Sequence, residues 1–437
     1  MKEELNMGDR LYAKLLEEIQ EIEIIDTHEH IMRQEEVRKE GLNLFRVFEN
    51  AYARLDFTTA GMPPEVWEKD NPREIWAVWR GFQEQVGLTH FFKNIIRALQ
   101  DLYGLEGNRI TEDNWPELSE KIVKAYERRD WYEYVLNKRV KVRISFLDNF
   151  WSVGSFPFDP AVFVPVLRTN PLILGRGFVS QYPKGKFTHT LVEELAREWE
   201  ISLEEFESYL MLIDTSIHRY KDHGAPAVKI GTAYERSLFF ERVPGDEAAR
   251  LYAKAPTELT PNEGKKLQDF MAHYVIQKAT QEDLPVQIHT GILARNANTL
   301  ANSNPENLNN LFLQYPETKF VLLHLSFPYI RQAFSLSKMF PNVFLDFCWV
   351  PMLSEKVAAQ ALDEFLDLVP YNKLMWGGDS FRVEGAYAAA CVTREVMASV
   401  LAERVKKGDM DLEMAIRVSE AILHGNARDF YEGLRRG

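Results

Sequence analysis

His28 and His30 stand one residue apart in the run Ile24-Ile25-Asp26-Thr27-His28-Glu29-His30. In an extended strand, residues i and i+2 share a face, so these two imidazoles project together and can grip one divalent ion. Three later apolar runs end in groups of the same chemistry: His289 follows Pro285–Ile288, His324 follows Phe320–Leu323, and Lys373–Gly377 ends at Gly378-Asp379. One His-X-His pair says little, because the pattern is short. Its recurrence as His, His and Asp at the ends of separate runs is what points to a site.

A divalent ion held by His28, His30 and Asp379, with His289 as a further ligand, keeps a position open for water and lowers that water's pKa towards neutrality. Imidazole and carboxylate donors suit zinc best, and manganese, iron(II) and nickel accept the same set. Asp379 is also placed to take a proton from water and return it to a leaving group. His324 is expected either to polarise a substrate oxygen or to hydrogen-bond from behind the ligands. Arg168 closes the run Ala161–Leu167, and Arg236 follows Tyr234; guanidinium matches a carboxylate with two parallel bonds, so both are candidates for binding an acidic substrate. Lys229 lies inside the run Pro226–Ile230. A lysine at a buried strand end is costly unless it is paired or chemically altered, so it either binds a substrate carboxylate as an ammonium, is modified, or reaches to solvent. Tyr234, Trp349 and Trp151 either line the pocket or pack, and nothing beside Cys348 marks an activated thiolate.

These groups meet only if the runs are strands whose carboxyl ends open on one face. The pattern predicts a helix over residues 1–20, with Leu11, Leu15, Leu16 and Ile19 at helical spacing. Residues 32–137 read as helical and rich in large aromatics, broken at Met62-Pro63-Pro64 and Asn71-Pro72, which is expected to be an insertion after the first strand. Strands are predicted at 140–146, 161–167, 226–230, 285–288, 320–323, 343–347 and 373–377. Between them fall helical stretches at about 190–221, at 259–280 (opened by Thr260-Pro261-Asn262-Glu263) and at 307–315, with two more near 385–406 and 411–423. About eight short Val/Ile/Leu/Phe-rich strands alternating with helices make an α/β chain, a (β/α)8 TIM barrel over 1–31 and 138–437 with the helical insertion at 32–137. A doubly wound open sheet is the alternative, disfavoured because no glycine-rich phosphate fingerprint follows any strand.

The chain has 437 residues, 46% of them hydrophobic, which is ample for a large core. A net charge of -13 argues against nucleic acid or an anionic membrane as partner and says little about a small-molecule substrate, because one local Arg or Lys outweighs it inside a cleft. Two cysteines exclude a disulfide scaffold and fit a cytoplasmic protein, and the charged start Met1-Lys2-Glu3-Glu4 resembles neither a signal peptide nor a membrane span.

Asp26-Thr27-His28-Glu29-His30, with His289, His324 and Asp379, closely resembles the amidohydrolase superfamily. The segments KIGTAYERSL (229–238), QIHTG (287–291), PNVFLD (341–346) and HGNARDFY (424–431) resemble the amidohydrolase-2 group. Within it they look most similar to TIM-barrel hydrolases related to the amidohydrolase domain that stands beside glutamine synthetase in some fungal and plant proteins. A fainter similarity is to uronate isomerase, from which the chain departs at Trp376-Gly377-Gly378-Asp379, where that enzyme has a Trp-Trp-Phe signature. The resemblance implies a metal-dependent hydrolase acting on an amide, ester or lactone of a small organic acid, with Asp379 both ligand and proton carrier. Non-oxidative decarboxylation and uronate-like isomerisation are the alternatives. It also implies a homo-oligomer, and a second metal if Lys229 is carbamylated.

Overall fold

The structure is a computed structural model that describes residues 7–49, 52–156, 158–178, 190–294 and 297–431. Its strands are β1 (Ile24–Glu29), β2 (Val142–Leu147), β3 (Phe163–Pro165), β4 (Leu167–Arg168), β5 (Val228–Ile230), β6 (Val286–Ile288), β7 (Phe320–Leu322), β8 (Val343–Asp346) and β9 (Leu374–Met375). The chain divides into two compact units.

The first unit comprises Met1–Ser145, Ala294–Ala297 and Phe347–Ala427. A helix over Met7–Glu21 leads into β1, as the spacing of its leucines predicts; the first six residues of that prediction lie outside the described residues. All six residues of β1 are buried, so the strand is covered on both faces. Its neighbours are held by backbone bonds: Ile24 N–H donates to Lys141 O at 2.8 Å, and Thr27 N–H donates to Trp376 O, just past β9, at 3.1 Å. Between β1 and β2 the described residues are helices and turns, from Gln34–Lys39 to a π-helical turn at Glu133–Arg139. Their aromatic residues form a core of their own, with Phe57 and Phe48 against Trp79 at 4.9 and 5.2 Å between ring centroids. The long helix Val383–Lys407 is rich in alanine and buried over most of its length. Arg97 of the helix His90–Tyr103 clamps it with two bonds to Glu395, of 2.6 and 2.7 Å.

The second unit comprises Phe146–Leu293, Asn298–Asp346 and Arg428–Gly437. Here β4 to β8 run parallel in sequence order. The register sets Arg168 beside Lys229 and Lys229 beside Gln287. One strand was expected over 161–167, and two stand there. Val166 N–H donates to Leu147 O whereas Thr169 N–H donates to Lys229 O, so the chain changes partner between β3 and β4. The helix Pro261–Gln281 starts where the sequence signalled. Thr260 Oγ1 accepts from Glu263 N–H at 3.3 Å while Glu263 accepts from Thr260 N–H at 3.0 Å, a reciprocal cap.

Candidate metal centre

In the first unit, β1 brings its two imidazoles side by side, ring centroids 4.8 Å apart and edge to face. Asp379 reaches both of them from the turn after β9. Its Oδ1 lies 3.7 Å from His28 Nε2 and 3.4 Å from His30 Nε2, and all three side chains are buried. Donors bound tetrahedrally at about 2.1 Å from one ion sit about 3.4 Å apart. The two carboxylate-to-imidazole distances are therefore close to the spacing of donors on a first-row divalent cation.

Tyr52 completes this cluster, its hydroxyl donating to Asp379 Oδ1 at 3.0 Å. Trp349 lies against Tyr52 at 4.8 Å, Phe91 against Tyr52 at 5.8 Å, and Phe381 stacks on His30 at 5.2 Å. These rings wall the triad with apolar surface, where charges interact more strongly than in water. Tyr52, Trp349 and Asp379 all hold left-handed backbone, at φ +60°, +65° and +56°. Each costs about 1–2 kcal/mol for a residue with a side chain, and such strain clusters at functional sites. Behind the triad, burial pushes the Asp26 carboxyl up to about 7. Burial first, then the neighbouring Asp26, raises Glu29 well above the usual carboxylate range.

In the second unit His324 and His289 meet, Nε2 to Nδ1, at 3.1 Å. His289 Nε2 lies 3.0 Å from the Ile292 carbonyl, which only accepts. A neutral His289 therefore carries its proton on Nε2 and offers the Nδ1 lone pair to His324 Nε2–H. Both nitrogens of His289 are thus engaged, and ligating an ion requires one of these bonds to be exchanged. Tyr234 flanks His289 at 4.9 Å. His324, Leu325 and Ser326 are successive left-handed residues, at φ +64°, +44° and +56°, another concentration of strain.

Arg168 and Lys229 are both buried in this unit. Arg168 Nη1 lies 3.3 Å from Asp148 Oδ2, with its guanidinium over Phe150 at 5.4 Å. A Cβ added at Gly231 would come within 2.2 Å of Arg168 Nη1, so only glycine leaves room for that arginine. Arg236, expected to be a candidate for substrate binding, is turned elsewhere. Its Nη2 pairs with the fully buried Asp269 at 2.5 Å and donates to Phe239 O at 2.9 Å, while Nη1 reaches Lys265 O at 3.3 Å. Its donors are used in fixing the helix Pro261–Gln281 to the segment that precedes it. Cys348 and Trp349 are buried, and Trp151 packs on Phe150 at 5.1 Å.

Tyr52 and the Asp26–Glu29 pair were not read as site residues. Tyr52 carries no local signal, being one aromatic among many in a helical stretch. The carboxylates had one: the Gly377-Gly378 pair directly before Asp379 marks a place where another chain comes close.

Residues 231–433 match the amidohydrolase family, and the resemblance read from the motifs is borne out over that segment. A stretch of 191 residues is 37% identical to protein fluG of Emericella nidulans. It covers 42% of this chain and 22% of that protein, so the chain spans less than a quarter of its curated relative's length. Among solved structures, uronate isomerase from Thermotoga maritima superposes with a TM-score of 0.77 at 17% identity, covering 97% of each chain. Glucuronate isomerase from Caulobacter crescentus gives 0.76 at 14% identity, covering 98% of this chain and 95% of that one. A candidate metal-dependent hydrolase from Lactobacillus casei gives 0.66 at 17% identity, over 96% and 98%. The chain has the α/β TIM-barrel fold of these solved structures. Among the described residues no helix is long and apolar enough to cross a membrane.

Proposed function

We propose that this amidohydrolase-fold chain is a metal-dependent hydrolase that cleaves an amide, ester or lactone bond in a small carboxylate-bearing substrate. The observation that carries the reading is the meeting of His28, His30 and Asp379, with both Nε2 atoms 3.4 to 3.7 Å from one carboxylate oxygen. Zinc is the metal that this donor set favours. When bound, the ion supplies Lewis acidity and an acidified water. Asp379 accepts the water's proton and returns it to the leaving group, oriented by the Tyr52 hydroxyl. The second unit offers His324 as a group able to polarise a substrate oxygen, and Arg168 with Lys229 as groups able to bind a carboxylate. Arg236 has the weakest claim to a substrate, given its bonds to Asp269 and Phe239.

The test is a panel of small N-acyl, ester and lactone acids assayed for hydrolysis with the zinc-loaded protein. Two other reactions use the same residues and are read in parallel. Release of carbon dioxide from a candidate acid identifies a decarboxylase. Aldose-to-ketose conversion of a uronic acid identifies an isomerase, the activity named for the two Thermotoga and Caulobacter structures. Hydrolysis that requires metal and is abolished by His28→Ala supports the proposal; a loaded protein inert to the hydrolytic panel but active in either parallel assay overturns it.

A further inference from the structure

We propose that Asp26 and Glu29 are positioning residues for Asp379, a clamp of two buried carboxylates that fixes the acid's backbone so that Oδ1 faces both imidazoles. The inference rests on the reading that His28, His30 and Asp379 hold a metal.

Asp379 is flanked on both sides by amides that these carboxylates take. Asp26 Oδ1 accepts from Gly378 N–H at 3.0 Å and from His28 N–H at 3.2 Å, while Oδ2 accepts from Ser145 Oγ–H at 3.0 Å. Glu29 Oε2 accepts from Ser380 N–H. The two main chains are also tied directly: Asp379 N–H donates to His28 O at 2.8 Å and His30 N–H to Ser380 O at 3.1 Å. Each residue that would touch the ion is therefore locked to the others through backbone as well as side chain. A left-handed aspartate at φ +56° persists only where its surroundings over-determine it, and the two flanking bonds do that.

The glycines show how closely the clamp fits. A Cβ at Gly378 would lie 2.0 Å from Glu29 Oε1, and one at Gly377 would lie 2.7 Å from His28 N. Any side chain at 378 pushes Glu29 off its amide. The bond at Ser380 N–H needs one acceptor oxygen at the reach of a glutamate side chain, which the carbonyl oxygen of a glutamine also supplies.

The test is Co2+ binding to the metal-free protein, measured by competition with a chromogenic chelator and by the cobalt d–d absorption band, which reports ligand geometry without any assay of activity. Glu29→Ala should weaken Co2+ binding by about 10–100-fold and change the band, at temperatures well below its unfolding transition. Glu29→Gln, which keeps an acceptor oxygen at the same reach, should recover most of the affinity. Should Glu29→Ala fail to fold, Gly378→Ala takes its place with the same expected loss. A folded Glu29→Ala or Gly378→Ala protein with the parent's affinity and band overturns the clamp, and so does a Glu29→Gln protein that loses as much as the alanine. A parent chain that binds no Co2+ overturns the metal reading itself, and this inference with it.

Discussion

The Tyr52 hydroxyl donates to Asp379 Oδ1, the same oxygen that stands nearest His28 and His30 Nε2. The helical stretch between β1 and β2 thus supplies one group to a site otherwise made at strand ends. The bond takes one lone pair of the oxygen, which orients the carboxylate for proton transfer. A hydrogen bond to a charged group contributes about 1.5–3 kcal/mol. Tyr52→Phe is therefore expected to lower kcat by about tenfold or more on any substrate the parent turns over, with bound metal unchanged. Steady-state kinetics beside metal analysis of the same sample checks this, and an unaltered kcat would show that the hydroxyl serves packing alone.

Metal content separates the two roles open to Lys229, which is fully buried on β5. One site built on His28, His30 and Asp379 takes about one equivalent of a first-row metal in protein purified without chelators, and His28→Ala takes little. Elemental analysis of both proteins measures this. Two equivalents in the parent would instead give Lys229 a bridging role, which requires its conversion from a cation to an anionic ligand.

The reciprocal cap on the helix Pro261–Gln281 makes a prediction about acid. Hydrogen bonds from Lys254 and Thr260 hold the Glu263 carboxyl down to about 2, below its ordinary value of 4.5. The group binds its proton more weakly when folded than when unfolded, so its contribution to stability is complete above about pH 4.5 and disappears as pH falls towards 2. Glu263→Gln should accordingly lower the melting temperature near neutral pH, and the gap from the parent should narrow as the solution is acidified. Thermal unfolding across that range tests it, and a gap that stays constant assigns the effect to packing instead.

The sequence made the strand ends legible because two simple periodicities act there. Alternation along β1 puts His28 and His30 on one face, and short apolar runs mark where β6, β7 and β9 deliver His289, His324 and Asp379. Thr260 and Glu263 announced their helix through capping chemistry, which is local. What stayed hidden depends on partners far apart in the chain. Tyr52 meets Asp379 across 327 positions, and no periodicity links them. The exchange of partners at Val166 is set by the carbonyls on either side rather than by Val166 itself. Arg236 looked available only because Asp269, its partner, lies a full element further on.

That last contrast gives a prediction that separates the two arginines. Arg168 packs over Phe150 near Lys229, and Gly231 has no side chain to crowd it, whereas Arg236 spends its donors on Asp269 and on Ser237, Phe239, Lys265 and Gln268. Arg168→Lys keeps a charge opposite Asp148 but loses the planar fork, so KM for a carboxylate substrate should rise about tenfold while thermal stability changes little. Arg236→Ala removes a charge-assisted bond from the buried Asp269 and leaves Lys265 Nζ, at 2.6 Å, as its remaining cation. The expected loss is about 1–3 kcal/mol of stability with KM unchanged. Denaturant unfolding and steady-state kinetics on the two variants decide the matter. A raised KM in Arg236→Ala would mean that its guanidinium leaves Asp269 for the substrate, and the carboxylate would then have to be bound on that side of the chain.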